Sequence, residues 1–154
     1  AYAEIHMKTI EREMKELIAA DSNICRNYKL LTSIKGVGPI TAIVMLCSTL
    51  NFTKITDHRK FACYCGLAPF EHSSGTSVRG GCHTSSMANR DIKVQLNRSA
   101  LIAIRCDPQL KAYYERKAAE GKHKFSVLNA VRAKIAARCF AVVRRGTPYV
   151  ALQI

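Results

Sequence analysis

The sequence predicts an all-α domain of about six helices, with a helix-hairpin-helix element and one long loop rich in serine and glycine. Apolar residues recur at helical spacing along most of the 154 residues, and glycine, proline and aspartate stand at the expected helix ends. The composition, 48% hydrophobic and 23% charged, is typical of a folded domain that buries roughly two thirds of its unfolded surface. A core of this size needs neither a disulfide nor a metal.

Residues 1–22 are predicted to form a helical arm. Four apolar residues at spacing i, i+4, i+7 and i+8 favour an amphipathic helix over residues 3–20: Ile10, Met14, Leu17 and Ile18. Residues 1–33 carry five basic and five acidic side chains, and the sequence has no initiating methionine. We therefore expect an arm that comes from a missing N-terminal domain or reaches a second subunit as a coiled coil, followed by a domain over residues 23–154.

Two helices are expected to flank a glycine-containing turn. The first begins at Asp21 or Ser22 as N-cap and ends at Gly36. The turn reads Lys35-Gly-Val-Gly-Pro-Ile-Thr41, and the apolar residues 43–49 continue as the next helix.

Residues 67–86 interrupt the helical pattern. They are rich in serine, threonine and glycine and have no helical period, so we expect an ordered loop, which leaves room for a short β-hairpin within it. The helix before this loop is expected to begin at Thr56 or Asp57 and to close at Gly66 in the left-handed conformation.

Three helices are predicted after the loop. The first covers residues 87–104. The second begins at Asp107-Pro108, an N-cap followed by proline at the first helical position, and ends near Gly121. The last covers residues 125–143.

The positive charge is concentrated in the domain. The net charge is +13, and from residue 34 onward 19 basic side chains stand against six acidic ones. Such a field favours a polyanionic partner, because a basic protein releases counterions when it binds DNA. A solvated basic surface without a partner is the alternative.

The seven cysteines have the pattern of reduced cytosolic thiols, because their number is odd and most stand alone among apolar neighbours. Cys63, Cys65, Cys82 and His83 are the nearest approach to a zinc signature, but their spacing is C-x-C, so small core thiols are the better interpretation and no metal is expected. No apolar run is long enough for a membrane span and no secretory signal is present, so we expect a cytoplasmic protein without a membrane partner.

The glycine-containing turn resembles the hairpin of a helix-hairpin-helix element. Gly36 and Gly38 would bring backbone N–H groups at the next helix's N-terminus up to a phosphate, with added contacts from Lys35 and Thr41. Such an element holds the DNA backbone without reading bases. A packing corner that uses glycine only for its geometry is the alternative.

The loop at residues 67–86 offers a candidate nucleophile. Ser73-Ser74-Gly75 is followed by basic and polar groups that could stabilise charge on a phosphodiester under attack: Arg79, His83, Asn89, Arg90, Lys93 and Arg98. The plain alternative is that this segment is only a serine-rich loop.

Other DNA chemistries are disfavoured. The six acidic residues after residue 34 are scattered over different predicted elements, which argues against a two-metal carboxylate site in this chain. Tyr113 and Tyr114 lack the Arg and His-x-x-Arg partners of a tyrosine recombinase, and no Walker loop is present.

Four features in order carry a family resemblance: Leu30-Leu-Thr-Ser-Ile-Lys-Gly-Val-Gly-Pro-Ile-Thr-Ala-Ile, Phe61-Ala-Cys-Tyr-Cys-Gly-Leu-Ala-Pro-Phe, Ser74-Gly75, and Asn89 on an arginine-bearing helix. The chain resembles, over residues 28–150, the C-terminal domain of insertion-sequence transposases related to Piv-type DNA invertases. Gly-Leu-Ala-Pro followed closely by Ser-Gly is the most specific part.

The resemblance implies a serine nucleophile, which falls on Ser74, with Ser73 as the alternative. It implies that Mg²⁺ belongs to a separate N-terminal resolvase-like nuclease domain with an Asp-Glu-Asp-Asp site, so this chain alone should hold no cofactor and be inactive. Implied partners are the DNA of insertion-sequence ends and targets, a guide RNA in some members, and further protomers of a homo-oligomer.

The chain departs from the family pattern at two positions. Ala88 stands where the family often has glycine, and Lys93 stands where it often has arginine. Lysine offers phosphate a point charge in place of a bidentate fork. A non-catalytic helix-hairpin-helix DNA-binding module and a simple oligomerisation domain are the competing interpretations.

Overall fold

Seven α-helices and one β-hairpin build the part of the chain that the computed structural model describes, which is residues 2–74, 78–84 and 88–151, with the backbone alone for 69–74 and 78–84. The elements in order are α1 Tyr2–Ala20, α2 Ser22–Thr32, α3 Pro39–Thr49, α4 His58–Tyr64, β1 Pro69–Ser74, β2 Val78–Thr84, α5 Arg90–Cys106, α6 Pro108–Ala119 and α7 Lys124–Arg145. The all-α prediction is confirmed, with seven helices where about six were expected. The β-hairpin lies within residues 67–86, the long loop in which a short β-hairpin was allowed for.

Caps account for the helix boundaries. Asp21 accepts hydrogen bonds from the Asn23 and Ile24 amides at 2.8 and 3.0 Å, and Asp107 accepts from the Leu110 amide at 3.0 Å with Pro108 at the first helical position. Each carboxylate satisfies amides that the first helical turn leaves unpaired. The predicted starts of α2 and α6 are therefore confirmed.

The core forms around α5 and α7, which pack against each other and against most of the other helices. Phe61 of α4 is fully buried and packs against Phe140 of α7 with ring centroids 5.4 Å apart. Cys65 and Cys139 are also fully buried. Burial raises the pKa of the Cys65 thiol to about 11 and that of Cys139 to about 12, so both are small, protonated core residues at neutral pH.

The helix α1 is the exception to this packing. It buries none of its residues, and its main contact is with α2. Its exposed apolar residues include Ile5, Met7, Ile10 and Leu17. No helix in the described ranges is long and apolar enough to cross a membrane.

Candidate nucleic-acid interface

The turn between α2 and α3 is set by Gly36. Its φ of +93° lies in the left-handed region, and a Cβ at this position would stand 2.6 Å from the Ser99 carbonyl oxygen and 2.8 Å from the Ala103 Cβ. Only glycine combines this backbone conformation with so close an approach to α5. Gly36 therefore fixes the turn onto α5, while the neighbouring Lys35 is exposed.

The N-terminus of α3 is open. Gly38 is its N-cap in an extended conformation, no side chain caps the first turn, and a Cβ at Gly38 would meet nothing within 4 Å. The next residue, Pro39, has no N–H group. The amides of Ile40 and Thr41, together with the helix dipole, therefore make this end electropositive towards solvent.

Thr41 lies elsewhere than the sequence suggested. The side chain is buried, and its hydroxyl forms a 3.0 Å hydrogen bond with the Ser99 hydroxyl of α5. Because the hydroxyl already has this partner inside the fold, Thr41 packs α3 against α5 and does not present its side chain to a phosphate. The expectation of a Thr41 side-chain contact is corrected accordingly.

The two candidate serines are the last two residues of β1, at the end of the β-hairpin far from its base. In its antiparallel register Ser74 is opposite Val78 and Ser73 is opposite Arg79, with an irregularity between Glu71 and Ser73. His83 pairs with Phe70, four residues back along β1, which at 3.3 Å per residue is about 13 Å from Ser74. The backbone thus brings Arg79 beside the serines and leaves His83 near the base.

Asn89 joins the two ends of the segment that carries the hairpin. Its Oδ1 accepts from the Asp91 and Ile92 amides at 3.1 and 3.3 Å, so it is the N-cap of α5. Its own amide donates to the Tyr64 carbonyl at 3.0 Å, and its Nδ2 lies 3.4 Å from the Tyr64 hydroxyl. Asn89 therefore ties the end of α4 to the start of α5.

A second set of contacts holds the entrance of the hairpin, and sequence reasoning missed it. Asn129 of α7 donates to the Leu67 carbonyl at 2.8 Å, and Arg132 donates to Asn129 Oδ1 at 3.3 Å. The same guanidinium donates twice to Asn97 Oδ1 on α5, at 3.2 and 2.8 Å. We call Asn97, Asn129 and Arg132 the entrance network. The sequence signal that could have indicated this network is the pair Asn129 and Arg132, two polar residues at spacing i, i+3 within a largely apolar helix.

The entrance network contains a half-buried positive charge. Burial lowers the pKa of Arg132 from its usual 12.5, but a guanidinium stays protonated at neutral pH. Its hydrogen-bond partners among the described side chains are amide oxygens. The charge is therefore solvated by dipoles near the hairpin entrance.

The remaining predicted basic residues lie along α5. Arg90 and Arg98 are exposed, and Lys93 is half-buried near Cys65. Asn89 begins the helix and Ser99 contacts the α2–α3 turn ten residues later, a separation of about 15 Å at 1.5 Å per residue. The hairpin base and the glycine turn are therefore both anchored on α5.

The carboxylates in the described part of the chain do not converge on a metal site, and no group of three His, Cys, Asp or Glu side chains there could hold an ion. Asp107 is buried against Arg138, with Nη1 and Oδ2 2.7 Å apart. Glu120 pairs with Lys117, and Asp57 caps α4. The side chains of Cys82 and His83, part of the disfavoured zinc signature, lie outside the described residues.

Comparison with known proteins places the chain among transposases. The model of the IS116/IS110/IS902 transposase family matches residues 28–115. The chain is 39% identical over 121 residues to an uncharacterised 43.6 kDa protein of insertion element IS110 from Streptomyces coelicolor, which covers 78% of this chain and 29% of that protein. It is 23% identical over 141 residues to the pilin gene-inverting protein of Moraxella bovis, covering 91% of this chain and 44% of that protein. The chain thus spans less than half the length of these relatives.

Proposed function

Because the chain belongs to the IS116/IS110/IS902 family of transposases, we propose that it is the serine-bearing, DNA-binding C-terminal part of a DNA transposase. In this role Ser74 is the nucleophile for strand cleavage and exchange. The observation that carries the proposal is the position of Ser74 as the last residue of β1, at the end of a β-hairpin whose base is fixed to a strongly basic helical body.

The proposed chemistry is a reversible transesterification. The Ser74 oxygen attacks the phosphorus, an Oγ–P bond forms, and one deoxyribose oxygen leaves and takes up a proton while the serine hydroxyl gives up its own. The protein–DNA ester keeps the energy of the broken phosphodiester, so a hydroxyl of another strand can reverse the step and complete the exchange. Cationic groups of the basic helical body would stabilise the charge that develops on the phosphoryl oxygens. Arg79 is opposite Ser73, one residue from Ser74 along β1, so the register places it on the face of the alternative nucleophile.

Among the described residues, no three carboxylates or other ligands converge as a magnesium site would require. Asp107 is buried in an ion pair, and Asp57 and Glu120 are engaged by an N-cap and a lysine. We therefore assign the expected metal-binding carboxylates to a separate nuclease domain and expect this chain alone to bind DNA without cleaving it. A guide RNA and a homo-oligomeric assembly stay proposals for the longer protein.

The proposed DNA contacts combine two kinds of group. The exposed Lys35 and the open N-terminus of α3 would hold one phosphate, and the exposed Arg90 and Arg98 of α5 would hold others. These contacts fix the position of the duplex and carry no base sequence information. Lys93 would add a point charge near the hairpin base.

The test compares two adjacent serines. With the chain joined to its metal-binding domain, a DNA substrate that traps the covalent intermediate is incubated with the wild type, Ser74→Ala and the matched control Ser73→Ala. We expect the adduct in the wild type and in Ser73→Ala, and its loss in Ser74→Ala with DNA binding unchanged. An adduct that persists in Ser74→Ala and disappears in Ser73→Ala would assign the nucleophile to Ser73. An adduct that persists in both variants would reduce the chain to a non-catalytic DNA-binding module.

A further inference from the structure

We propose that a cleft between α6 and α7 is a second DNA site, which binds the phosphates of a single strand. The cleft has a volume of about 530 Å³ and is lined by Tyr113 and Arg116 of α6 and by Lys134, Ala137 and Arg138 of α7. This inference rests on the proposed DNA partner but not on the role of Ser74.

Two cations in the cleft share one aromatic ring. The Lys134 ammonium lies 4.5 Å from the centroid of the Tyr113 ring, and the Arg116 guanidinium carbon lies 5.8 Å from it. The ring holds both cations in place by cation–π attraction, although two like charges repel each other at short range. A phosphate in the cleft would be attracted to both positive charges.

The third cation of the cleft is already neutralised. Arg138 is bound to the buried carboxylate of Asp107 and to Gln109, and its guanidinium lies over the Tyr149 ring. No carboxylate is among the lining residues, all of which fall in the described range 88–151. Lys134 forms no ion pair with a described residue, and Arg116 interacts electrostatically with Glu120, whose carboxylate is itself paired with Lys117. Both side chains are exposed to a ligand from solvent.

The cleft faces away from the hairpin entrance. At 3.6 residues per turn, Lys134 and Arg138 lie on the side of α7 roughly opposite Asn129 and Arg132. A strand in the cleft would thus be separate from the DNA at Ser74. We commit to a single strand because the recess has the volume of a small-molecule site and lies between two packed helices, so a nucleotide can enter it but a duplex cannot. An aromatic ring beside cations is also typical of single-strand binding surfaces.

The experiment measures the affinity of the 154-residue chain for a labelled oligothymidylate and for a duplex of the same length, by fluorescence anisotropy. We expect Arg116→Ala/Lys134→Ala to weaken single-strand binding about tenfold, equivalent to about 1.4 kcal/mol, and duplex binding much less. The slope of log K against log salt should fall by about 0.7 for each single-strand phosphate that the variant no longer neutralises. Lys134→Arg should retain binding because it keeps the charge.

The control is Lys111→Ala/Lys122→Ala, which removes two exposed cations outside the cleft. An equal loss of affinity in this control, or a larger loss for the duplex than for the single strand in the cleft variant, would overturn the proposal and leave only general attraction to a basic protein. The measurement is of binding alone and uses no strand cleavage, so a failure of the Ser74 assignment leaves this result unchanged.

Discussion

Two partly buried arginines of α7 are satisfied in different ways. Arg138 donates to the buried carboxylate of Asp107 at 2.7 Å, where the Tyr149 hydroxyl is also 3.3 Å from that carboxylate. Arg132 donates, among the described side chains, to the amide oxygens of Asn97 and Asn129. One guanidinium is thus neutralised by a carboxylate, and the other is solvated by neutral dipoles.

One arginine therefore adds no net charge to its surroundings, and the other keeps a net positive charge. The Arg138 pair joins the start of α6 to α7 and, through Tyr149, to the C-terminal segment. The entrance network joins α5 and α7 to the residue two positions before β1, where a retained positive charge favours a phosphate. A buried positive charge without a carboxylate costs stability.

The largest expected effect comes from breaking the neutralised pair. Arg138→Met leaves Asp107, which is 1% exposed, without its cation and should lower the free energy of unfolding by about 3–5 kcal/mol. Urea unfolding of the isolated chain measures this. The control is Lys117→Ala, which breaks an exposed pair with Glu120 and should cost no more than about 1 kcal/mol.

The pH dependence of the wild type checks the same contribution. Burial acts to raise the pKa of Asp107, but the Leu110 amide, the Arg138 guanidinium and the Tyr149 hydroxyl together hold it below its usual 3.8. The stabilisation is therefore complete above pH 3.8 and is lost as the pH falls through the lower folded-state pKa. An Arg138→Met variant as stable as the wild type at neutral pH would show that the carboxylate does not depend on this cation.

The contact between Gly36 and α5 involves no charged group and can be compared with the Arg138–Asp107 pair. Gly36→Ala adds a Cβ that would stand 2.6 Å from the Ser99 carbonyl oxygen and forces alanine into a φ of +93°, so we expect a loss of about 2–4 kcal/mol. Gly121→Ala is the matched control, because Gly121 has a φ of +78° but open space around it. It should cost only about 1 kcal/mol of backbone strain. Equal losses in thermal unfolding would mean that the approach to α5 adds nothing.

Local signals in the sequence predicted more of the fold than of the site. The caps at Asp21, Asp57 and Asp107 and the left-handed Gly66 act within a few residues, so periodicity and capping chemistry placed the helix ends near where the structure has them. The predicted contact of Thr41 was wrong because its partner, Ser99, is 58 residues away.

Long-range partners also explain why the entrance network was missed. Asn129 and Leu67 are 62 residues apart, and Arg132 and Asn97 are 35 apart. A strand with one buried face shows alternating apolar and polar residues, and such a pattern would have predicted the hairpin. Residues 67–86 combine small polar residues with glycine and do not alternate in this way, so the only signal for a hairpin was their turn-rich composition.

Breaking the entrance network should have the smallest effect on the free energy of unfolding and the most selective effect on strand cleavage. Asn129→Ala removes the hydrogen bond that Asn129 donates to the Leu67 carbonyl and the one that it accepts from Arg132. We expect the free energy of unfolding to fall by about 1–2 kcal/mol. Hydrogen exchange should rise at the amides of β1 and β2 and stay unchanged in α2 and α3, because only the hairpin entrance loses its anchor.

In the protein joined to its metal-binding domain, Asn129→Ala should lose strand cleavage, because the serine nucleophile is no longer held in alignment with the phosphate. Its affinity for duplex DNA should stay within about twofold of the wild type, because the basic surface is intact. Arg132→Lys tests the second half of the network. This variant keeps the positive charge but loses the two hydrogen bonds to Asn97. If the charge itself acts on the phosphate, the cleavage rate should fall less in Arg132→Lys than in Arg132→Ala. If the network only orders the hairpin, the cleavage rate should fall equally in both variants.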